Sequence, residues 1–188
     1  MDADSQTTLQ TEFNPDVVEL MNCNVLNENG EAISVANLWS KQTAILVFLR
    51  HFACIECRTI AKQVWSDREK YEKAGGRIYF IGNGQPNFIS GFKSDLNIND
   101  APIYTDPSLK IFNAAGFKRG FFVALGPQSI VNGLKMFAGG NSQGQYEKGM
   151  GDIWQMGGVI VVKPNGRVAF KFVSQKLGDF PPEKDIAQ

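Results

Sequence analysis

The run Thr43-Ala44-Ile45-Leu46-Val47-Phe48-Leu49 is apolar at every position but the first, and it most constrains what this chain can become. A strand carrying no polar alternation is covered on both faces, as in a parallel or mixed sheet with layers above and below it. Directly after it comes a second constraint. From Cys54 to about Ala74 the apolar positions Cys57, Ile60, Ala61, Val64, Trp65 and Tyr71 fall on one face of a helix, and Gly75-Gly76 ends that helix. A buried strand therefore runs into an amphipathic helix that opens on Cys54-Ile55-Glu56-Cys57.

The rest of the chain extends this pattern. Asn24–Asn27 and Glu31–Val35 flank Asn29-Gly30, a pair that tolerates positive φ and suits a hairpin turn. Arg77–Ile81 reads as a second buried strand, and Phe88, Ile89, Phe92 and Leu96 mark one side of a second helix. Ile103-Tyr104 is a short strand, after which Asp106 is placed to cap a helix whose first turn takes Pro107 and which Gly116 closes. Val159–Val162 and Val168–Val173 are joined by Pro164-Asn165-Gly166 and form a terminal hairpin. Strands alternating with helices and ending on a hairpin describe an α/β domain. With a long helix straight after the central strand, the order is that of a thioredoxin-like fold: a mixed central sheet flanked by helices.

The expected organisation is a flexible polar leader over 1–14 and a single domain over 15–188. A glycine-rich insertion at about 117–155, carrying one amphipathic piece with Ile130, Leu134 and Phe137, precedes the hairpin. Beyond Pro181-Pro182, any closing helix is short.

Lysine plus arginine equal aspartate plus glutamate at 19 each, so no net field draws the molecule to nucleic acid or anionic lipid. The N-terminal stretch lacks the pattern of a signal peptide and no run is long enough to cross a bilayer, so a cytoplasmic protein is expected. Three cysteines are too few for a secreted disulfide framework. In a reducing compartment a close pair is redox-active or metal-binding before it is structural.

Cysteines at i and i+3 in the first turn of a helix bring their sulfurs close enough to bridge with little backbone movement. The helix N-terminus favours a thiolate and lowers the pKa of such a cysteine to roughly 3.5–7.5. Cys54, nearer the helix end and the solvent, is expected to be the more acidic sulfur. Arg50, His51 and Arg58 reinforce the effect if they point inward, and Glu56 opposes it. His51, the only histidine, is a candidate proton donor or substrate orienter. A zinc site from Cys54, Cys57, Cys23 and His51 is arithmetically possible but lacks a second closely spaced ligand pair. Cys23 is expected to be a packing residue. Gly82-Asn83-Gly84 lacks the third glycine and acidic residue of a dinucleotide loop, and no flavin or nicotinamide site is evident, so no cofactor is expected.

Four stretches together carry a resemblance. They are Arg50-His51-Phe52-Ala53-Cys54-Ile55-Glu56-Cys57, Tyr104-Thr105-Asp106-Pro107, Gly116-Phe117-Lys118-Arg119-Gly120, and Gly151-Asp152 with Gln155-Met156-Gly157-Gly158. Over roughly 25–182 the chain resembles the peroxiredoxin-like 2 family of AhpC/TSA antioxidant-domain proteins. The resemblance implies a thioredoxin-like fold and thiol-dependent redox activity. One branch of that family is similar to prostamide and prostaglandin F synthases, which reduce an endoperoxide with a Cys-x-x-Cys pair. A thioredoxin-like alignment makes Cys54 the attacking sulfur and a peroxiredoxin-like one makes it Cys57. Thioredoxins place a cis-proline where this chain has Gly157-Gly158, a pair that permits close approach of another chain or ligand.

The expected activity is a dithiol/disulfide cycle at Cys54 and Cys57, with Arg50 and His51 assisting and Phe52, Gly157, Gly158 and Arg119 near the substrate. The oxidant is a peroxide or disulfide, and a thioredoxin or glutathione system restores the dithiol. A redox-silent binding module, with Phe121-Phe122 as an apolar patch or a homodimer contact, is the alternative.

Overall fold

The computed structural model describes residues 15–117, 119, 145–174 and 179–186. The leader over 1–14, the amphipathic piece with Ile130, Leu134 and Phe137, and Phe121-Phe122 lie outside the described residues.

A seven-stranded mixed sheet organises the chain in the spatial order β2-β1-β5-β4-β3-β6-β7. Its strands are β1 (Asn24–Leu26), β2 (Ala32–Ser34), β3 (Thr43–Phe48), β4 (Gly76–Gly82), β5 (Ile103–Thr105), β6 (Gly158–Val162) and β7 (Val168–Val173). The apolar run expected as the central strand is β3, pairing parallel to β4 and antiparallel to β6. It is buried on both faces because its residues alternate between two cores. Ile45 and Val47 join Ile78 and Phe80 on one side, and Ala44, Leu46 and Phe48 join Tyr79 and Ile81 on the other.

The first core is covered by α2 (Ile55–Ser66), α3 (Arg68–Lys73) and α4 (Ile89–Leu96), which contribute Cys57, Ala61, Val64, Tyr71, Ile89, Phe92 and Leu96. The second is covered by α1 (Pro15–Met21), a 3₁₀ turn at Val35–Trp39 and α5 (Lys110–Ala114), through Leu20, Leu38, Trp39, Ile111 and Phe112. A short α6 (Glu183–Ile186) returns Ile186 to the first core.

Both expected hairpins form with Gly30 and Gly166 at positive φ. Two expectations need correction. The helix over 54–74 is two helices, because Asp67 leaves helical geometry at φ −91°, ψ 5°, although its amide still completes the ladder to the Gln63 carbonyl (3.1 Å). The helix expected to begin at Asp106-Pro107 instead starts at Lys110, after Leu109 at φ 61°. The Asp106 carboxylate accepts from the Ser108 and Ile111 amides, so it closes a turn and caps the later helix across it.

Candidate active site

The strand β3 and the helix α2 place the cysteines. Past Phe48, the Leu49 amide still donates to the Ile81 carbonyl (2.8 Å), so the chain leaves the sheet at Arg50, at the C-terminal end of the parallel strands. The Arg50 amide turns onto Cys57 Sγ (3.1 Å), and the Cys54 amide donates to the His51 carbonyl (3.0 Å) in the turn that starts α2. Cys54 is the N-cap residue and Cys57 lies one turn along. All three cysteines are free thiols.

The pair is asymmetric. Cys54 closes no regular cap hydrogen bond, yet its pKa is lowered from 9.0 to about 6. The hydrogen bond from Cys57 is the largest cause, burial opposes it, and the Arg50 charge and the N–H groups of Cys57 and Glu56 add to the lowering. The Cys57 thiol is pushed well above 9.0, first by burial and then by Cys54 itself. One sulfur is thus held ready as thiolate while its neighbour keeps the proton.

Arg50 reaches the site with its whole head. Nη1 lies 3.7 Å from Cys54 Sγ, Nε donates to the Gln155 carbonyl (3.2 Å) and Nη2 to the Ile153 carbonyl (2.6 Å). Sequence reasoning did not single out the carbonyls of Ile153 and Gln155, since backbone acceptors leave no mark in a sequence. Arg58, expected to reinforce the thiolate, turns away to an ion pair with Asp95 (3.2 Å).

His51 is 7% exposed, and its ring meets Tyr146 edge-on at 5.8 Å. Its pKa is lowered from 6.5 to about 4, by burial first and by the Arg50 charge second. At neutral pH it is therefore an uncharged imidazole and adds no positive charge to the thiolate.

Cys54, expected nearer the solvent, and Cys57 are both buried, at 4% and 3% exposed. The segment at Glu147–Gln155 runs beside the motif, pinned where the Phe52 amide donates to the Met150 carbonyl (3.0 Å) and the Gln85 amide to the Gly149 carbonyl (2.7 Å). Phe52 is buried against Phe92 (5.2 Å), with its ring filling the space a side chain at Gly82 would need. Gly157-Gly158 does admit close approach, but from the chain itself. A Cβ on Gly157 would sit 2.0 Å from the Phe48 carbonyl oxygen, and one on Gly158 would sit 2.2 Å from that of Phe172. Arg119 lies at the rim, ion-paired with Asp152, whose amide donates to Asn83 Oδ1 (2.9 Å). Cys23 is a half-buried packing residue whose thiol donates to the Glu19 carbonyl. Among the described residues no cluster of His, Cys, Asp and Glu could hold a metal ion.

The sequence model of the AhpC/TSA antioxidant enzyme family matches residues 63–176. The chain belongs to the AhpC/TSA antioxidant enzyme family. The matched span begins after Cys57, so the family assignment and the cysteine geometry are independent observations. The chain is 30% identical over 165 residues to the prostamide/prostaglandin F synthase of Xenopus laevis, covering 85% of this chain and 80% of that one. It is 26% identical over 168 residues to the Arabidopsis thaliana protein named thioredoxin-like protein AAED1, chloroplastic, covering 86% and 67%. Among solved structures, the bacterioferritin comigratory protein of Xanthomonas campestris superposes with a TM-score of 0.60 at 10% identity, covering 85% of each chain. Peroxidoxin BcpB of Mycobacterium tuberculosis gives 0.58 at 12%, covering 81% of this chain and 80% of that one. The fold is accordingly the peroxiredoxin-like form of the thioredoxin fold. This AhpC/TSA protein is a thiol-dependent oxidoreductase of the peroxiredoxin-like kind. Among the described residues no helix is long and apolar enough to cross a membrane.

Proposed function

We propose that Cys54 is the attacking sulfur and Cys57 the resolving one in the reduction of a peroxide. The Cys54 thiolate attacks one oxygen of the O–O bond and becomes a sulfenic acid, and the other oxygen leaves as an alcohol or water. Cys57 then attacks the Cys54 sulfur, the S–O bond breaks, water leaves and an intramolecular disulfide remains. An external dithiol of the thioredoxin or glutathione type restores both thiols. The observation carrying this reading is the opposite displacement of the two thiols, Cys54 down to about 6 and Cys57 up, within one turn of α2.

Arg50 holds the thiolate and His51 shapes the pocket as a neutral ring. Arg119 is the charged group available at the rim, whereas Phe52, Gly157 and Gly158 set the geometry by packing against their own chain. Relatives named for prostamide and prostaglandin F synthesis favour an endoperoxide among the substrates; there Cys54 attack leaves a sulfenate ester and one hydroxyl, and Cys57 breaks the S–O bond to release the second hydroxyl instead of water. A compartment rich in reduced thioredoxin or glutathione, such as the cytosol, would sustain turnover.

The test follows thiol loss in wild type, Cys54→Ser and Cys57→Ser with hydrogen peroxide, an organic hydroperoxide and a model disulfide. Cys54→Ser should abolish fast oxidation of the pair, and Cys57→Ser should stop at a trappable sulfenic acid. Equal behaviour of all three proteins with every oxidant would overturn the assignment. A redox-silent module predicts that outcome.

A further inference from the structure

Glu56 lies between the two cysteines in sequence, yet it is only 4% exposed. Carboxylates are seldom fully buried, because removing the charge from water is costly. It lines, together with Arg50, Cys57, Gly157, Ser174 and Phe180, a small, partly open cavity of about 20 Å³. That volume suits one water molecule, for which roughly 10–15 Å³ is the minimum. Glu56 is also close enough for its charge to act on the Cys57 thiol.

Cys57 carries a proton when it attacks, and that proton needs an acceptor. Cys57 is 3% exposed, so its sulfur meets little bulk water and a positioned acceptor has the advantage. The Arg50 guanidinium has donors only and no acceptor site. His51 has its ring against Tyr146 and is a weak base, with its pKa lowered to about 4. The Ser174 hydroxyl, bonded to the Asp179 carbonyl, is no base. The carboxylate is the ionisable acceptor that shares the cavity with Cys57.

We propose that Glu56 is the proton acceptor for Cys57 in the resolving step, directly or through a single water in the shared cavity. This rests on the assignment of Cys54 as the attacking sulfur. As the Cys57 sulfur bonds to the Cys54 sulfenic acid, its proton passes to the Glu56 carboxylate. The S–O bond breaks, and the hydroxide that leaves takes a proton from the Glu56 carboxyl group, giving water and returning the carboxylate. No further oxidant is needed, since the peroxide has already oxidised Cys54 by two electrons.

The two roles a carboxylate could have here predict opposite results. If Glu56 only exerts its charge, removing it eases ionisation of Cys57 and speeds closure of the disulfide. If it takes the proton, removing it slows closure, because a positioned acid or base contributes about 10²–10⁴-fold.

The experiment oxidises wild type, Glu56→Gln and Glu56→Asp with one equivalent of hydrogen peroxide and follows two events separately. Sulfenic acid at Cys54 is trapped with dimedone, and closure is read as loss of the second alkylatable thiol. Glu56→Gln should still form the sulfenic acid and should close at least tenfold more slowly than wild type, with the low-pH limb of the closure profile lost. Glu56→Asp should recover part of the rate and keep that limb. Closure in Glu56→Gln at or above the wild-type rate overturns the proposal while leaving the cysteine assignment standing. A wild type that forms no sulfenic acid or no disulfide overturns the assignment itself. If Glu56→Gln does not fold, Glu56→Asp decides: closure in Glu56→Asp at or above the wild-type rate overturns the proposal.

Discussion

Alkylation of Cys54 as a function of pH tests the electrostatics of the site most directly, and the structure fixes both the shape and the size of the expected curve. A thiol at its ordinary pKa of 9.0 is about 1% ionised at pH 7, whereas one lowered to about 6 is about 90% ionised, so ~90-fold more thiolate is present. The more acidic thiolate is also the weaker nucleophile. With a Brønsted coefficient of about 0.4–0.5, a thousandfold change in acidity lowers its intrinsic reactivity by roughly 16- to 32-fold. The net advantage at pH 7 is therefore only about 3- to 6-fold. Burial of Cys54 lowers the whole curve further through restricted access, without moving its midpoint. The discriminating signal is shape rather than speed.

Iodoacetamide labelling between about pH 4 and pH 10, with the Cys54 peptide quantified by mass spectrometry, should rise with a midpoint near 6 and level off above about pH 7. Because the hydrogen bond from Cys57 is the largest cause of the shift, Cys57→Ala should move the midpoint upward, while Cys57→Ser, which keeps a donor, should move it less. A wild-type curve that climbs through pH 8–9 without levelling, or a midpoint unmoved by Cys57→Ala, refutes the reasoning.

Four further outcomes follow from individual residues. Arg50→Gln removes the guanidinium 3.7 Å from Cys54 Sγ, so the same labelling curve should shift to higher pH by about one unit. His51 has its pKa lowered in the folded state, so the unfolded chain binds a proton that the native chain refuses as pH falls from 6.5 toward 4. Stability should be full above pH 6.5 and decline below it by at most ~3 kcal/mol, and denaturant titrations of His51→Phe should show a flatter decline over that window. Gly157→Ala must displace the Phe48 carbonyl and should cost about 3 kcal/mol or more, read as a melting temperature lower by about 6–12 °C. Gly91→Ala, in the helix α4 with nothing within 4 Å, should instead gain about 0.5–1 kcal/mol.

The sheet was legible where composition and turn chemistry agreed. The unbroken apolar run of β3 required two covering layers, and Asn29-Gly30 and Asn165-Gly166 placed their hairpins because positive φ was needed there. The break at Asp67 was illegible because helical periodicity runs through it, and only the Asp67 backbone, at φ −91°, ψ 5°, departs from the helix. Leu109 at φ 61° gave no signal at all, since tertiary packing imposes a conformation its side chain disfavours. Within the site, the sequence pointed to an acidic Cys54 at the start of α2, but its largest cause, the hydrogen bond from Cys57, follows from the packed geometry. The burial of Glu56 and the outward turn of Arg58 were not legible, because no local pattern tells which charged side chain a fold will enclose.

Enclosure of the pair has a physical consequence for how the cycle is gated. Among the described residues the Glu147–Gln155 segment is held beside the pair by the Phe52 amide on Met150, the Gln85 amide on Gly149, Asn83 Oδ1 on the Asp152 amide, the Arg119 ion pair with Asp152, the Gln155 side-chain amide on the Phe117 carbonyl, and the Arg50 head on the carbonyls of Ile153 and Gln155. None belongs to a regular ladder, so opening them leaves the sheet intact and costs far less than global unfolding. Arg50 is the exception among them, because it holds the segment and the thiolate with one guanidinium. When Cys54 becomes a neutral sulfenic acid or disulfide, the charge that helped anchor Arg50 is gone, and the segment loses part of what keeps it closed. Oxidation and opening are thereby coupled through one side chain. Amide exchange at Phe52 and Gln85 should be faster in the disulfide form than in the dithiol form, and equal exchange in the two forms would break that coupling.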